Sequence, residues 1–529
     1  MNNEVKNFVN HNHDSFDTFM NSQLHKIVNN AKVNVLKGEN KGTKIQISFD
    51  ERCSIEKPTM LPNEARLDGK TYSSKIKTKI HVKFEHNGIK NDEDETYDLE
   101  LVDMPIMLHS SLCLLRDKTE DDLIQNGESN IERGGYFIIG GNEKVIVSQE
   151  DQKKNLIINS IKKLSDKTEY RSSIQSSIDD TRRPETLILY LDTKKNEIQV
   201  KIPYFTGEMP LIVLYRALGF ENDKDILKSI CGGFETEIAN KIFEELKPSF
   251  LEANRIFDQN TALKWLSFYT DKKAKRNEPD QYTRSRLGKI YYLLRKYFLP
   301  HMNDETMNDS SYEYHLNLRR KGMFLSLMVR DILLVKLGLK EKTDREDLAN
   351  KKVRLPGSII IEMFRDFFEE FVKDTIKKRI DAYLEDNRVK SVKELIDIFK
   401  KEKEYFLDTS QFKENIMKSF RGKWGKNPSG KRNQGVLQDF GRHSFLESVS
   451  HLRRIHLPLD SGMWTFDLRR LHTSQFGYIC SIEVPDGIKV GTSKHFAHTC
   501  VVSEEKDPSK IIEFIKDLKY THDISDDTI

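Results

Sequence analysis

The stretch Lys75 to Phe84, KIKTKIHVKF, sets the first firm limit on the fold. Ile76, Ile80 and Val82 fall on one side of a two-residue repeat and lysines fall on the other. That is the pattern of a β-strand with one face buried and one face wet. Lys44 to Phe49 (KIQISF) and Tyr97 to Val102 repeat it on either side, and Asn91 to Glu95 (NDEDE) reads as a solvated hairpin tip between two of these strands. Gly134 to Asp151, GGYFIIGGNEKVIVSQED, reads as strand, Gly-Gly-Asn turn and strand. No helix and no G-K-[ST] follow those glycines, so a phosphate loop is not indicated.

Other stretches carry a helical period. Phe16, Phe19, Met20 and Leu24 lie at i, i+3, i+4 and i+8, continued by Ile27 and Val28. Strands at Leu187 to Tyr190 and Ile198 to Ile202 lead into Met209 to Leu218, read as a helix with Pro210 in its first turn. Helical patterns continue through Ile226 to Ile230, Ile238 to Leu246, Ala262 to Tyr269, Leu287 to Tyr297 and Arg319 to Leu339. Ile359 to Leu384 reads as one strong helix with Ile360, Phe364, Phe367, Phe368, Phe371 and Ile376 on its apolar stripe, followed by Val392 to Phe406 and Gln411 to Phe420. With 529 residues the chain is too long for one core. The expectation is an α+β, multidomain protein of mixed antiparallel sheets and helices.

The charge is unevenly placed. Between Arg421 and Cys500 there are twelve Lys and Arg against six Asp and Glu, an excess of +6, while the whole chain carries only +3. Within it, Lys423 to Gln438 (KWGKNPSGKRNQGVLQ) holds three glycines and four basic residues, Lys423, Lys426, Lys431 and Arg432. This suits a flexible cationic loop that follows a nucleic-acid backbone. Trp424 would stack on a base or pack in a core. Phe445, Leu446, Val449 and Leu452 mark a helix closed by Arg453 and Arg454. That pair either complements the helix C-terminus or faces nucleic acid.

The five cysteines, Cys53, Cys113, Cys231, Cys480 and Cys500, form no C-x-x-C and are odd in number, which argues for reduced thiols rather than disulfides or structural zinc. The N-terminal MNNEVKNFVNHNHDSF contains no apolar signal region, and no apolar run approaches the ~20 residues of a membrane span. An intracellular protein, in nucleus, cytoplasm or a virus, without a membrane partner is expected.

Several segments, each weak alone, occur in a telling order. They are LPNEARLDGKTYSS (Leu61 to Ser74), MPIMLHSSLCLL, the Gly134 to Asp151 hairpin, VLYRALGF (Val213 to Phe220), KYFLPH (Lys296 to His301), DREDLANKKVRLPG (Asp344 to Gly357), HLRR and the Cys480 segment. The set resembles the N-terminal half of the second-largest, β-class subunit of multisubunit DNA-dependent RNA polymerases, of the eukaryotic, archaeal and large-DNA-virus type. The resemblance runs over residues 14 to 529. It implies a protrusion (residues 1–170 and 344–425) with an inserted lobe (171–343), a fork (426–503) and the start of an external domain (504–529). It implies no catalytic residue and no metal ligand in this chain. Mg2+ would belong to the assembled polymerase, its Asp triad on the largest subunit. A separate chain would supply the C-terminal half with its catalytic lysines, and the substrates would be a DNA template, nascent RNA and NTPs.

By the same resemblance Lys423, Lys426, Lys431, Arg432, Arg453, Arg454, Trp464, Arg469, Arg470, Glu483 and Asp486 would face nucleic acid or the active centre. Trp464 sits in PLDSGMWTFDLRRLH, a loop generally more polar in the family, and would either wedge against a separating base pair or pack on a partner subunit. CSIEVPDG answers a C-P-x-E-T-P-E-G pattern. It keeps Glu483, Pro485 and Gly487, with Ser481, Val484 and Asp486 as departures. That loop would lie beside the nucleotide addition site or brace the fork. The alternative function is a binding or assembly fragment with no polymerase role.

Overall fold

The computed structural model describes residues 8–36, 43–90, 94–163, 168–179, 182–194, 196–232, 236–253, 255–269, 286–303, 311–386, 391–425, 435–458, 466–503 and 509–517. The chain divides into two compact units. The first comprises Met1–Glu150, Val353–Leu471 and Gln475–Ile529, and the second comprises Asp151–Lys352 and His472–Ser474. Both mix helices with antiparallel sheets, the α+β architecture expected from the sequence.

The alternating stretch at residue 75 is the hub of the first unit. It lies in the 14-residue strand Ser73–His86, which pairs antiparallel with Thr43–Phe49 on one side and Glu95–Pro105 on the other. Ile76, Ile80, Val82 and Phe84 are buried while the lysines face outward. Of the acidic tip, 91–93 lie outside the described residues. Asp94 pairs with Lys83 at 3.1 Å and Glu95 with Lys400 at 2.9 Å, so both serve surface ion pairs.

The helices of this unit cover the sheet. Asn10–Thr18 and Leu24–Asn29 flank a π-helical turn, Phe19–Gln23. Pro356–Glu370 runs on through a second π-helical stretch, Phe371–Lys377, into Lys378–Asp386, so the single helix expected over this span contains a local widening. Its phenylalanines form an aromatic layer in which Phe364, Phe368 and Phe371 meet Phe412, and Phe364 meets Phe19. Gly357 makes the close approach of two helices possible. A Cβ there would lie 1.9 Å from the Ser15 carbonyl oxygen, and the Gly357 N–H donates to Ser15 Oγ at 2.9 Å. The expected hairpin is present, with Phe137–Ile139 and Asn142–Ile146 joined through Gly140 and Gly141, both at positive φ. A third strand, Leu437–Asp439, adds to it.

The second unit opens with a five-stranded antiparallel meander, Ile158–Lys163, Thr168–Ser176, Glu185–Asp192, Ile198–Lys201 and Met209–Pro210. Met209 and Pro210 therefore belong to an edge strand, and the helix Leu211–Ala217 starts one step later than its sequence suggests, with Pro210 as its N-cap. An edge strand tolerates proline because no N–H is required on its outer side. Helices up to Ser311–Lys336 pack on this sheet around a core of their own. Inside it, the Lys321 ammonium donates to the Leu294 and Arg295 carbonyls at 3.1 and 2.7 Å, capping the last turn of Arg286–Lys296.

Gly357→Ala should destabilise the first unit by about 3 kcal/mol, because the obstacle is backbone rather than a movable side chain. Urea unfolding of the variant measures this, and an unchanged midpoint would show that the two helices separate freely.

Candidate nucleic-acid interface

The basic stretch folds around a short strand. Ser444 caps the helix Phe445–Leu452 by accepting the Glu447 N–H at 3.1 Å, and the Glu447 carboxylate accepts the His443 N–H at 2.9 Å. The helix buries only the Leu452 end of the face marked by its apolar residues. Ser448, His451 and Leu452 turn inward, while Phe445 and Leu446 are exposed. Polar anchoring causes this, since Ser448 Oγ donates to the Gly441 carbonyl at 2.9 Å and the Gly441 N–H donates to His451 Nδ1 at 3.1 Å.

The strand Arg454–His456 follows, lying parallel to Ser148–Gln152 and antiparallel to Ser493–His495. The two arginines at its start diverge. Arg453 is buried, and its guanidinium donates to the carbonyls of Phe8 and Ala497 at 2.8 Å each. It also lies over the Phe8 and Phe496 rings, 5.1 and 5.8 Å from their centroids. Arg453 therefore ties the chain's first helical turn to the strand, inside the protein rather than facing nucleic acid. Burial holds its pKa below the ordinary guanidinium value.

Arg454 is half-buried. Its Nε donates to His495 Nε2 at 3.2 Å, and His495 Nδ1 donates to the Glu483 carbonyl at 2.9 Å. Those partners require a neutral imidazole protonated on Nδ1. Burial lowers the His495 pKa, consistent with that neutral form. The Glu483 carboxylate accepts Ser450 Oγ–H, which fixes the carbonyl-bearing turn. Among the described residues, neither terminal amine of Arg454 has a hydrogen-bond or ion-pair partner. Burial lowers the Arg454 pKa, and Glu483 and Glu447 work against that shift.

The other candidates divide. Arg469 closes the helix Phe466–Arg469 and donates to the carbonyls of Ile488 and of Val490, the latter at 3.2 Å. Gly491 permits this close seam, because a Cβ there would lie 2.4 Å from the Arg469 carbonyl oxygen. Lys423, Arg470, Glu483 and Asp486 are exposed, and Asp486 leads into the short turn Gly487–Lys489. Lys426, Lys431, Arg432 and Trp464 lie outside the described residues. Trp424 is buried and packs edge-to-face on Phe420, which decides for the core. Lys494 is also buried, in an ion pair with Glu150 at 2.7 Å. The five cysteines are free thiols, and no group of three or more His, Cys, Asp or Glu among the described residues is placed to hold a metal ion.

One cluster has no signature in the sequence. The Glu143 carboxylate accepts Arg66 Nε at 2.8 Å and Arg442 Nε at 2.7 Å. Arg66 also reaches Glu128 at 2.6 Å, and Arg442 reaches Glu132 at 2.9 Å. Both guanidiniums donate to the Tyr136 hydroxyl, at 2.7 and 2.9 Å. Burial pushes the Glu143 pKa up, but the two arginines outweigh it and hold the carboxyl below its usual range. Only the residue types were visible beforehand, since Arg66 and Arg442 are separated by most of the unit's sequence.

The chain is thus a two-unit α+β protein with an anchored arginine on a loop-rich edge. Comparison with known proteins gives the family. Residues 7–401 match the family model described as RNA polymerase beta subunit, and residues 438–502 match RNA polymerase Rpb2, domain 3. The chain belongs to the RNA polymerase β-subunit family and corresponds to the N-terminal half of the second-largest subunit. It is 29% identical to DNA-directed RNA polymerase II subunit RPB2 of Encephalitozoon cuniculi over 97% of this chain and 44% of that protein. It is 30% identical to DNA-directed RNA polymerase subunit Rpo2N of Methanocaldococcus jannaschii over 96% of this chain and 95% of that one. The chain thus spans less than half the length of the RPB2 relative and nearly all of the Rpo2N relative. Among the described residues, no helix is long and apolar enough to cross a membrane.

The buried His11 and His451 and the half-buried His13 make the first unit acid-sensitive. Burial lowers His11 to about 3, with the Arg453 charge adding to it, and lowers His13 and His451 to about 4, from an ordinary 6.5. All three are neutral in the fold, whereas the unfolded chain takes up protons below about pH 6.5. Their stabilisation is complete above that pH and is lost progressively as pH falls from there to about 4 for His13 and His451 and about 3 for His11. Thermal melts at pH 7.5, 5.5 and 4.5 should show Tm falling with pH. A His451→Gln variant should show a shallower fall, and a slope equal to that of the unsubstituted chain would remove His451 from the account.

Proposed function

We propose that this chain forms one wall of the nucleic-acid cleft and one side of the active centre in a DNA-directed RNA polymerase that makes RNA from NTPs on a DNA template. The reading assigns residues 1–170 and 344–425 to a protrusion, 171–343 to a lobe and 426–503 to a fork. Its partners are the largest subunit and a separate chain carrying the C-terminal half of the β-class subunit, and it works inside the cell or virus particle. Nucleotidyl transfer needs Mg2+, which in this reading is held by the other polypeptides, and the chain alone is inactive.

The observation that carries the reading is the state of Arg454. Its Nε is anchored by His495, and its two terminal amines are available to an acceptor. A planar guanidinium held this way suits bidentate recognition of a phosphate, with little side-chain freedom left to lose on binding. Arg470 and Lys489 add exposed positive charge from neighbouring loops. Their work is to bind and orient the nucleic-acid backbone. Asp486, in the exposed turn, would address the incoming nucleotide's surroundings, and Glu483 keeps the arginine's supports in place.

In the reconstituted polymerase, Arg454→Ala should lower RNA synthesis by tenfold or more. It should also reduce the slope of log affinity against log salt for a DNA–RNA scaffold by about one. Arg454→Lys should restore the salt slope while recovering only part of the rate, because an ammonium cannot bind bidentately. Unchanged synthesis and an unchanged salt slope for Arg454→Ala would overturn this assignment.

A further inference from the structure

A polar cavity of about 480 Å³ lies in the first unit, among the helix Asn10–Thr18, the MPIMLHSSLCLL segment with the turn after it, the helix Glu120–Gln125 and the residues before Gly134. That volume is within the range of small-molecule sites, about 300–1,000 Å³. One wall is pinned in a strained form. His109 lines it at φ +61°, a left-handed conformation uncommon for any residue but glycine. The backbone beside it is held, because the Leu108 N–H donates to the Tyr136 carbonyl at 3.0 Å and the Gly135 N–H to the Leu108 carbonyl at 3.1 Å. A Cβ at Gly134 would lie 2.3 Å from that same Leu108 oxygen. Strain fixed by its surroundings in this way clusters at ligand sites.

The charges around the cavity are not all consumed by the fold. Glu132 is taken by Arg442 and by the N–H groups of Arg133 and Gly134. Arg116 pairs with Asp17 at 2.8 Å, and Asp14 and Glu120 have partners of their own. Arg133 and Lys118 remain, against the exposed Asp117. Among the described residues the Arg133 guanidinium makes no hydrogen bond or ion pair, and its Nε is buried. Lys118 is exposed, and its charge also reaches Asp122. His13 adds a group of another kind. One ring nitrogen is turned to the Leu108 carbonyl as donor, and Nε2 is buried without a partner. In the neutral ring Nε2 is therefore an acceptor that lacks a donor.

We propose that this cavity binds a small phosphate monoester of a hydroxylated carrier, a sugar phosphate or a nucleotide. The phosphate would take the Arg133 guanidinium bidentately, with Lys118 adding charge. A phosphate monoester carries about −2 near neutral pH, so two cations left over suit it better than they suit a single carboxylate. A carrier hydroxyl would donate to His13 Nε2 and so relieve the cost of a buried acceptor without a donor. None of these residues belongs to the edge that bears Arg454, and the site does not depend on the function proposed above.

The test is isothermal titration calorimetry on the full chain with inorganic phosphate, ribose 5-phosphate and adenosine 5′-monophosphate. At least one ester should bind with a Kd below about 1 mM and about tenfold or more tighter than inorganic phosphate. Tighter binding of the adenosine ester supports the proposal with a nucleotide as ligand, and its exclusion while ribose 5-phosphate binds supports it with a sugar phosphate. Arg133→Gln should weaken the ester by about tenfold or more. Its melting temperature should stay unchanged, because the guanidinium has no hydrogen bond or ion pair to lose. His13→Leu should bring the ester down to the affinity of inorganic phosphate, and Arg133→Gln decides the matter if that variant fails to fold. Equal affinity for all three probes, untouched by Arg133→Gln, would mean an adventitious ion only and would overturn the proposal. Absence of binding by all three would overturn it as well. Either result leaves the proposed function standing, since the assay does not read RNA synthesis.

Discussion

The partly buried network of Arg66, Glu143 and Arg442 constrains the first unit more than any single apolar contact. Removing charged groups from water is costly unless each finds a partner of opposite sign and its hydrogen bonds are met. Glu143 supplies a carboxylate oxygen to each guanidinium, and Glu128, Glu132 and Tyr136 accept further hydrogen bonds from them. The network holds only if the helix Pro62–Leu67, the hairpin and the segment after Leu437–Asp439 arrive together. Phe440 adds to the join by stacking on Tyr136 at 4.7 Å between ring centroids. This fixes the origin of the chain that leads through Ser444 to the strand bearing Arg453 and Arg454. A site residue far along the sequence therefore inherits its position from charges near residue 66.

The two adjacent arginines show how position rather than residue type decides a role. Arg453 closes the helix Phe445–Leu452, with φ −104° and ψ 6°, while Arg454 begins the extended strand, so their side chains leave the backbone in different directions. One side of Arg453 offers carbonyl oxygens and aromatic faces, which satisfy a guanidinium away from water. The side of Arg454 offers an imidazole nitrogen that can satisfy only Nε. The first arginine holds the structure together, and the second retains donors for something else. Arg442 and Lys494 belong with the first kind. Arg442 and Lys494 are paired with carboxylates outside Arg421 to Cys500 and Arg453 is buried, so the count overstates the charge presented to a ligand.

What the sequence made legible follows the range of the interactions concerned. The strand at Lys75 to Phe84, the hairpin at Gly140 and Gly141, and the helices around Phe364 depend on neighbours a few residues away, and periodicity reports them directly. The edge strand at Met209 and Pro210 was hidden because its pairing with Gln199 and Val200 competes with a good local helix signal. The π-helical stretch at Phe371 leaves no mark in an apolar stripe that continues through it. The inward turn of Ser448 and His451 depends on Gly441, and the fate of Arg453 depends on Phe8 and Ala497. Such contacts between distant segments have no period. The motif order at residues 61 to 500 identified the family because it records those distant contacts indirectly, without saying which arginine is buried.

The same physics explains why an anchored arginine, and not simply a basic loop, suits a polymerase cleft. A mobile lysine-rich loop attracts phosphate from a distance but must give up side-chain freedom when it binds, and it holds no register. Arg454 has already lost that freedom to His495, Glu483 and Ser450, so contact with a phosphate orders little that is not ordered beforehand. Its terminal amines lie in a fixed plane, which can set the height of a sliding backbone against the rest of the site. The imidazole that holds it is kept neutral by burial, so the support adds no competing charge at neutral pH. Long-range attraction and local register are thus separable tasks, and in the function proposed above the exposed cations would serve the first and the anchored Arg454 the second.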